Sequence, residues 1–128
     1  MEKYPVPLAV LISGRGSNLE AIVRAQREGP DAGKVVVVLS NQAGAGGLDV
    51  ARRAGIDTVV MPHEQHENRE AFDRALANTI REHGAGFVLL AGFMRRLGPA
   101  FCQAFPDAIL NIPPSLLPAF PGAHAQRQ

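Results

Sequence analysis

Two hydrophobic patterns alternate along the 128 residues: short, nearly continuous apolar runs, and longer stretches with an apolar residue every three or four places. The first run, Leu8, Val10, Leu11 and Ile12, suits a strand covered on both faces in a parallel sheet. Ser13-Gly14-Arg15-Gly16 breaks it, and Leu19, Ile22 and Val23 then give helical spacing. Ser17 can cap this helix, with Glu20 three residues on completing a capping box, so the helix starts close to Ser17. Lys34–Ser40 is a β-branched run that reads as an interior strand. Leu48, Val50 and Ala51 begin a short helix that Gly55 ends, and Ile56–Met61 makes a third strand.

Helical spacing resumes from Arg69 through Phe72, Ala75, Leu76 and Ile80 and stops near Gly84. Phe87–Leu90 reads as a fourth strand, Pro99–Phe105 as a short helix and Ala108–Ile112 as a fifth strand, followed by the proline-rich PPSLLPAFPGAH. Strands alternating with helices across short loops predict an α/β fold: a doubly wound, mainly parallel sheet with helices on both faces and right-handed crossovers. Such sheets bind ligands over the carboxyl ends of their strands. That edge would gather Gly14–Asn18, the polar loop His63–Arg69, Gly92–Arg96 and Asn111 onward. Residues 1–128 read as one domain whose last stretch supplies no helix for one sheet face, so the fold lacks its C-terminal elements.

Composition adds limits rather than identity. With 46% hydrophobic and 20% charged residues, the chain is suited to one soluble globular domain with a buried core. Thirteen basic against 12 acidic residues, net +1, argue against nucleic acid or a membrane surface as the main partner. Cys102 cannot form an internal disulfide, and PAFCQAF reads as a buried helical setting, which fits a reducing compartment. MEKYPVPLAV has no signal-peptide pattern, and no apolar run approaches the roughly 18 residues of a membrane span. A cytoplasmic protein is expected, and homo-oligomerisation is left open.

A helix start carries unpaired N–H groups and the positive end of the helix dipole, so Gly16, Ser17 and Asn18 are candidates to seat a phosphate. The alternative is a tight turn whose glycines only permit positive φ. A dinucleotide loop fails at Leu19, where a third glycine is needed, and at Ser40-Asn41, where an acidic residue is needed. No G-K-[S/T] follows the loop and Ser17 is not in G-x-S-x-G, which removes the Walker loop and the hydrolase elbow. His63 and His66 lack a third ligand at metal-binding spacing and read as a solvated loop, so no metal is expected. His83 beside Gly84 reads as a helix C-terminal residue.

Gly92-Phe93-Met94-Arg95-Arg96-Leu97 places apolar and cationic groups together after a buried strand, suited to a flat heterocycle with an acidic tail, or else to a plain connection with two solvated arginines. Asn111, a carboxamide ending an apolar strand, is costly there unless it hydrogen-bonds something: a carbonyl oxygen gaining charge, or the proline-rich loop.

LISGRGSNLEAI, LAGFMRRL and LNIPPSLLPAFPGAHAQRQ, in that order and spacing, resemble the phosphoribosylglycinamide formyltransferases of purine synthesis over nearly the whole chain. SLLP alone also occurs in methionyl-tRNA formyltransferases, but the G-x-G-S-N loop with SLLPAFPG is closer to the former. The resemblance implies a Rossmann-type formyltransferase fold and formyl transfer from 10-formyltetrahydrofolate, as co-substrate, to the amine of glycinamide ribonucleotide. It implies that Gly16, Ser17 and Asn18 bind the ribose phosphate, and that Arg69 with Met94, Arg95, Arg96 and Leu97 forms the folate site. It makes Asn111 the formyl-contacting asparagine. The family's proton-donor histidine is replaced by Pro113, and its aspartate falls beyond Gln128. A non-catalytic remnant binding phosphate or folate is the competing reading. By the motif's alignment His124 corresponds to a different family position and is not assigned as the catalyst.

Overall fold

The computed structural model describes residues 7–14, 17–28, 33–62, 68–93 and 97–112. They form five strands, β1 (Pro7–Ile12), β2 (Lys34–Ser40), β3 (Asp57–Val60), β4 (Phe87–Leu90) and β5 (Ile109–Asn111). Four helices lie between them, α1 (Ser17–Glu28), α2 (Gly46–Arg53), α3 (Arg69–Glu82) and α4 (Pro99–Ala104). All strand pairs are parallel, in the order β3-β2-β1-β4-β5. β1 is central, which is why its run from Ala9 to Ile12 is buried throughout instead of alternating.

Because strand side chains alternate, consecutive β1 residues feed opposite sides of the sheet. Ala9 and Leu11 join Val37, Leu39 and Val88 under α3 and α4, whose inward residues are Phe72, Leu76, Ala77, Ile80 and Phe101, with Phe105 just past the end of α4. Val10 and Ile12 join Val35 and Val38 under α1 and α2, which contribute Leu19, Ile22, Val23, Leu48 and Ala51. This is the doubly wound arrangement that the hydrophobic pattern predicts. Among the described residues Leu110 of β5 is the large apolar side chain left exposed, at 51%.

Helix ends follow the local chemistry. The Asn68 side chain accepts from the Ala71 N–H at 2.8 Å and so caps α3 at the residue where helical spacing begins. At its other end His83 is the C-cap, with Nδ1 3.0 Å from the Thr79 carbonyl, and Gly84 takes φ +83°, a conformation that glycine allows cheaply. Arg81 ties α4 to α3 by donating to the Ala104 carbonyl at 3.0 Å and lying over the Phe105 ring.

Two expectations are corrected. Cys102 is exposed, not buried. In the six-residue α4, Phe101 and the following Phe105 take the inward positions, and Cys102, about 100° round the helix from Phe101, faces outward. Asn111 is also exposed, because among the described residues β5 is the outermost strand, so no desolvation penalty demands a partner for its amide. Among the described residues no helix is long and apolar enough to cross a membrane.

Candidate functional site

In a parallel sheet every strand delivers its following loop to one edge, and strand order decides which loops face one another. From β1 the chain steps to β2 and β3 on one side, then returns to place β4 and β5 on the other. The order therefore reverses between β1 and β4, the switch point at which open α/β sheets leave a crevice for ligand. The two loops flanking it are the glycine loop after β1 and the Gly92–Leu97 connection after β4. Adjacent strands are about 5 Å apart, so ligands held by these loops would meet above the sheet.

On the β1 side, α1 opens at Ser17, in agreement with the sequence reading of a helix start there. Gly14 is not in the left-handed region, and a Cβ placed on it would meet nothing within 4 Å. Neither backbone strain nor protein packing thus requires a glycine at 14, which weakens the turn-only alternative at this position. Gly16 and the side chains of Ser17 and Asn18 lie outside the described residues.

A buried hydrogen bond fixes the base of this loop. Ser13 Oγ donates to Asn41 Oδ1 at 2.8 Å, both residues being buried where β1 and β2 end. The Gly47 N–H donates to the Gly14 carbonyl at 3.2 Å, so the β2–α2 loop also braces the glycine loop. Sequence reasoning used Asn41 only as the absence of an acid. Its signal was a polar residue directly after a β-branched interior strand, opposite the polar residue that ends β1.

On the β4 side the chain turns at Gly92, φ +82°, and Phe93 and Leu97 pack partly buried against the core beneath α3 and α4. Met94, Arg95 and Arg96 lie outside the described residues. Arg69, first residue of α3 and exposed, is brought to this connection from 28 positions upstream of Leu97. Its Cδ lies 3.2 Å from the point a Cβ on Gly98 would occupy. The structure thus brings Arg69 to the Leu97-Gly98 end of the segment with which the family resemblance groups it.

Asp73, one helical turn beyond Arg69, was not foreseen. It is 1% exposed, and its Oδ2 accepts from the Gly98 N–H at 2.8 Å, a buried bond across 25 residues. The sequence held a signal: Asp73 stands three, four and seven places before Leu76, Ala77 and Ile80, inside the apolar stripe of α3.

Asn111 ends β5 in register with Leu90, which is in turn in register with Leu11. It thus stands two strands from the glycine loop, on the carboxyl edge, and the Ile112 N–H donates to the Leu90 carbonyl at 3.0 Å. Pro113, His63, His66 and His124 lie outside the described residues.

Residues 6–128 match the family model described as formyl transferase. The chain is 48% identical over 121 residues to the phosphoribosylglycinamide formyltransferase of Escherichia coli (strain K12), covering 94% of this chain and 57% of that protein. It is 46% identical over 127 residues to the Homo sapiens trifunctional purine biosynthetic protein adenosine-3, covering 99% of this chain and 13% of that one. Among solved structures, glycinamide ribonucleotide transformylase 1 from Symbiobacterium toebii superposes with a TM-score of 0.84 at 50% identity, over 99% of this chain and 60% of that one. The phosphoribosylglycinamide formyltransferase of Coxiella burnetii gives 0.81 at 44%, over 91% and 55%. The chain therefore spans less than two thirds of the length of each of these relatives. With a family match across residues 6–128 and the same fold in these solved relatives, the chain belongs to the formyl transferase family.

Proposed function

We propose that residues 1–128 form the amino-terminal domain of a phosphoribosylglycinamide formyltransferase, which passes a formyl group from 10-formyltetrahydrofolate to the amine of glycinamide ribonucleotide. The observation that carries this reading is the 48% identity to a protein of that name across 94% of the chain. The placement of two ligand loops either side of one switch point supports it, because direct transfer needs both substrates bound together.

In this reading Gly16, Ser17 and Asn18 receive the nucleotide's phosphate at the start of α1. Arg69 and the segment from Met94 to Leu97 receive the folate, the arginine offering a cation to its acidic tail. The glycinamide nitrogen attacks the formyl carbon, the carbonyl oxygen takes up negative charge, and the N10–carbon bond breaks as the amine loses its proton and N10 gains one. No covalent bond to the protein forms. Asn111 donates from its amide to the developing oxyanion, a contact that is useful only when aimed at charge appearing in the transition state.

Pro113 favours a second reading, a non-catalytic binder of phosphate or folate, because it can neither donate a proton nor carry charge where the family has histidine. The deciding assay is formyl transfer by four proteins: the chain itself, Pro113→His, the chain fused to a relative's carboxyl-terminal segment, and the fusion carrying Pro113→His. Removing a general acid-base group costs on the order of 10²- to 10⁴-fold. The first protein is expected to show negligible turnover, and only the last to turn over measurably, since groups acting as a unit are not additive. Full activity in the chain itself removes the histidine's role, and a folded but inactive fourth protein removes the transferase reading.

A further inference from the structure

Besides the apolar stripe that meets the sheet, α3 carries a second stripe at helical spacing: Arg74, Ala77, Asn78 and Arg81, at i, i+3, i+4 and i+7. It faces a stripe of α4 with the same period, Ala100, Gln103 and Ala104. Between the two lies a cavity of about 360 Å³. A second cavity of about 400 Å³ shares Arg74, Ala100 and Gln103 with it, so one groove runs along the helix pair.

The groove is apolar at its base and cationic at its rim. Ala77 is buried and Ala100 and Ala104 are half-buried, whereas Arg74, Asn78, Arg81 and Gln103 are exposed. Among the described residues no carboxylate lines the first cavity. Arg81 donates to the Ala104 carbonyl at 3.0 Å and lies over the Phe105 ring, both of them neutral partners. Arg74 pairs with Glu70 one turn earlier on α3, but the two side chains are 68% and 62% exposed, and a pair so open to water is readily exchanged. A guanidinium has five N–H donors in a planar fork, so each arginine keeps donors for an incoming carboxylate.

We propose that the α3–α4 groove docks an acidic amphipathic helix of a partner protein. Arg74 and Arg81 are two turns apart on one face, about 10.5 Å along the axis. A helix lying along the groove presents the same interval between residues seven apart, so glutamates at its i and i+7 meet the two arginines. Its residues i+3 and i+4 then point down between them, where leucines would fill the space over Ala77, Ala100 and Ala104. Small residues at the base let the two backbones approach closely. The sequence complementary to this face is E-x-x-L-L-x-x-E. Neither Arg74 nor Arg81 belongs to the phosphate or folate assignments made under Proposed function, so the two readings stand or fall separately.

The test is an NMR titration of the full chain, at low salt, with an alanine-rich peptide of about 20 residues carrying E-x-x-L-L-x-x-E, long enough to hold a helix. Its control is an isomer with both glutamates moved two places, which turns them about 200° round the helix. The first peptide should shift the amides of Ala77, Ala100 and Ala104 saturably and gain helical circular dichroism on binding, and the isomer should bind roughly 2-fold to 5-fold more weakly. Arg74→Glu should weaken the first peptide by at least that factor. One of the two peptides in which a single glutamate is replaced by arginine should recover the loss, which a merely unfolded variant would not allow. The proposal is overturned if no saturable shift appears, if the isomer binds equally well, if the bound peptide stays non-helical, or if neither arginine-bearing peptide recovers binding to Arg74→Glu.

Discussion

Gly98→Ala adds one methyl group at a backbone conformation, φ −96° and ψ −175°, that alanine accepts without strain and that suits a residue preceding proline. On its own the change would stabilise, by about 0.4–1 kcal/mol, through the unfolded chain's lost freedom. The fold opposes it. The new carbon would sit 2.7 Å from Asp73 Oδ2 where ordinary contact starts at 3.4 Å, so the oxygen must retreat by roughly the difference, and the 2.8 Å bond to the Gly98 N–H stretches out of hydrogen-bonding range. Losing a bond to a charged acceptor costs about 1.5–3 kcal/mol, which leaves a net destabilisation of roughly 0.5–2.5 kcal/mol. In an Asp73→Ala background that obstacle is gone. Only Arg69 Cδ, on a flexible side chain, remains at 3.2 Å, and Gly98→Ala should then be neutral or mildly stabilising. Equilibrium urea unfolding of the four proteins measures the coupling directly, and the predicted sign reversal is its signature. If Gly98→Ala costs the same with and without Asp73, the carboxylate is not what the methyl meets, and the account of the Asp73–Gly98 contact is wrong.

Gly16→Val would put a branched side chain where, in the function proposed above, backbone reaches the phosphate. Losing one charge-assisted bond of about 1.5–3 kcal/mol should weaken glycinamide ribonucleotide roughly 10-fold to 100-fold in a calorimetric titration, and an equal loss for folate would remove the loop's assignment. Asn41→Ala strips an acceptor from the buried Ser13 hydroxyl and should cost about 1–3 kcal/mol in urea unfolding, whereas Ser13→Ala with Asn41→Leu should cost less than the two single changes summed. Asp107 holds φ +59° in the turn before β5, so Asp107→Ala should be less stable than Asp107→Gly by about 1 kcal/mol in thermal melts, and equal stability would show that the turn relaxes.

Much of this fold is written in hydrophobic spacing, because an interior parallel strand has to be apolar on both faces. Lys34–Ser40 and Phe87–Leu90 are strands over those same residues, and α3 starts at Arg69, where spacing and the Asn68 cap coincide. What spacing could not supply was the neighbour of a polar residue. Asp73 sits in the inward stripe of α3, yet nothing local says that its partner is a backbone N–H 25 residues later. Ser13 and Asn41 end separate strands, and only the β1–β2 register sets them side by side. Cys102 and Asn111 were misplaced for a related reason: apolar company in sequence suggested burial, but Phe101 and the C-cap Phe105 take the inward positions around α4, and among the described residues β5 has one neighbouring strand.

The strand order carries an argument of its own about the chemistry. Transfer without a covalent intermediate succeeds only if donor and acceptor are held at near-contact distance at once. Neighbouring strands place their loops about 5 Å apart, and β1 and β4 are neighbours although the chain visits two other strands between them. Each loop has its own brace: Ser13–Asn41 with Gly14–Gly47 on the β1 side, and Asp73–Gly98 on the β4 side. No hydrogen bond among these joins one brace to the other, so the two loops are held by independent devices on a shared sheet. A protein that only had to hold phosphate would need the first brace alone. The second, a buried carboxylate accepting from the Gly98 N–H, supports the two-substrate reading proposed above.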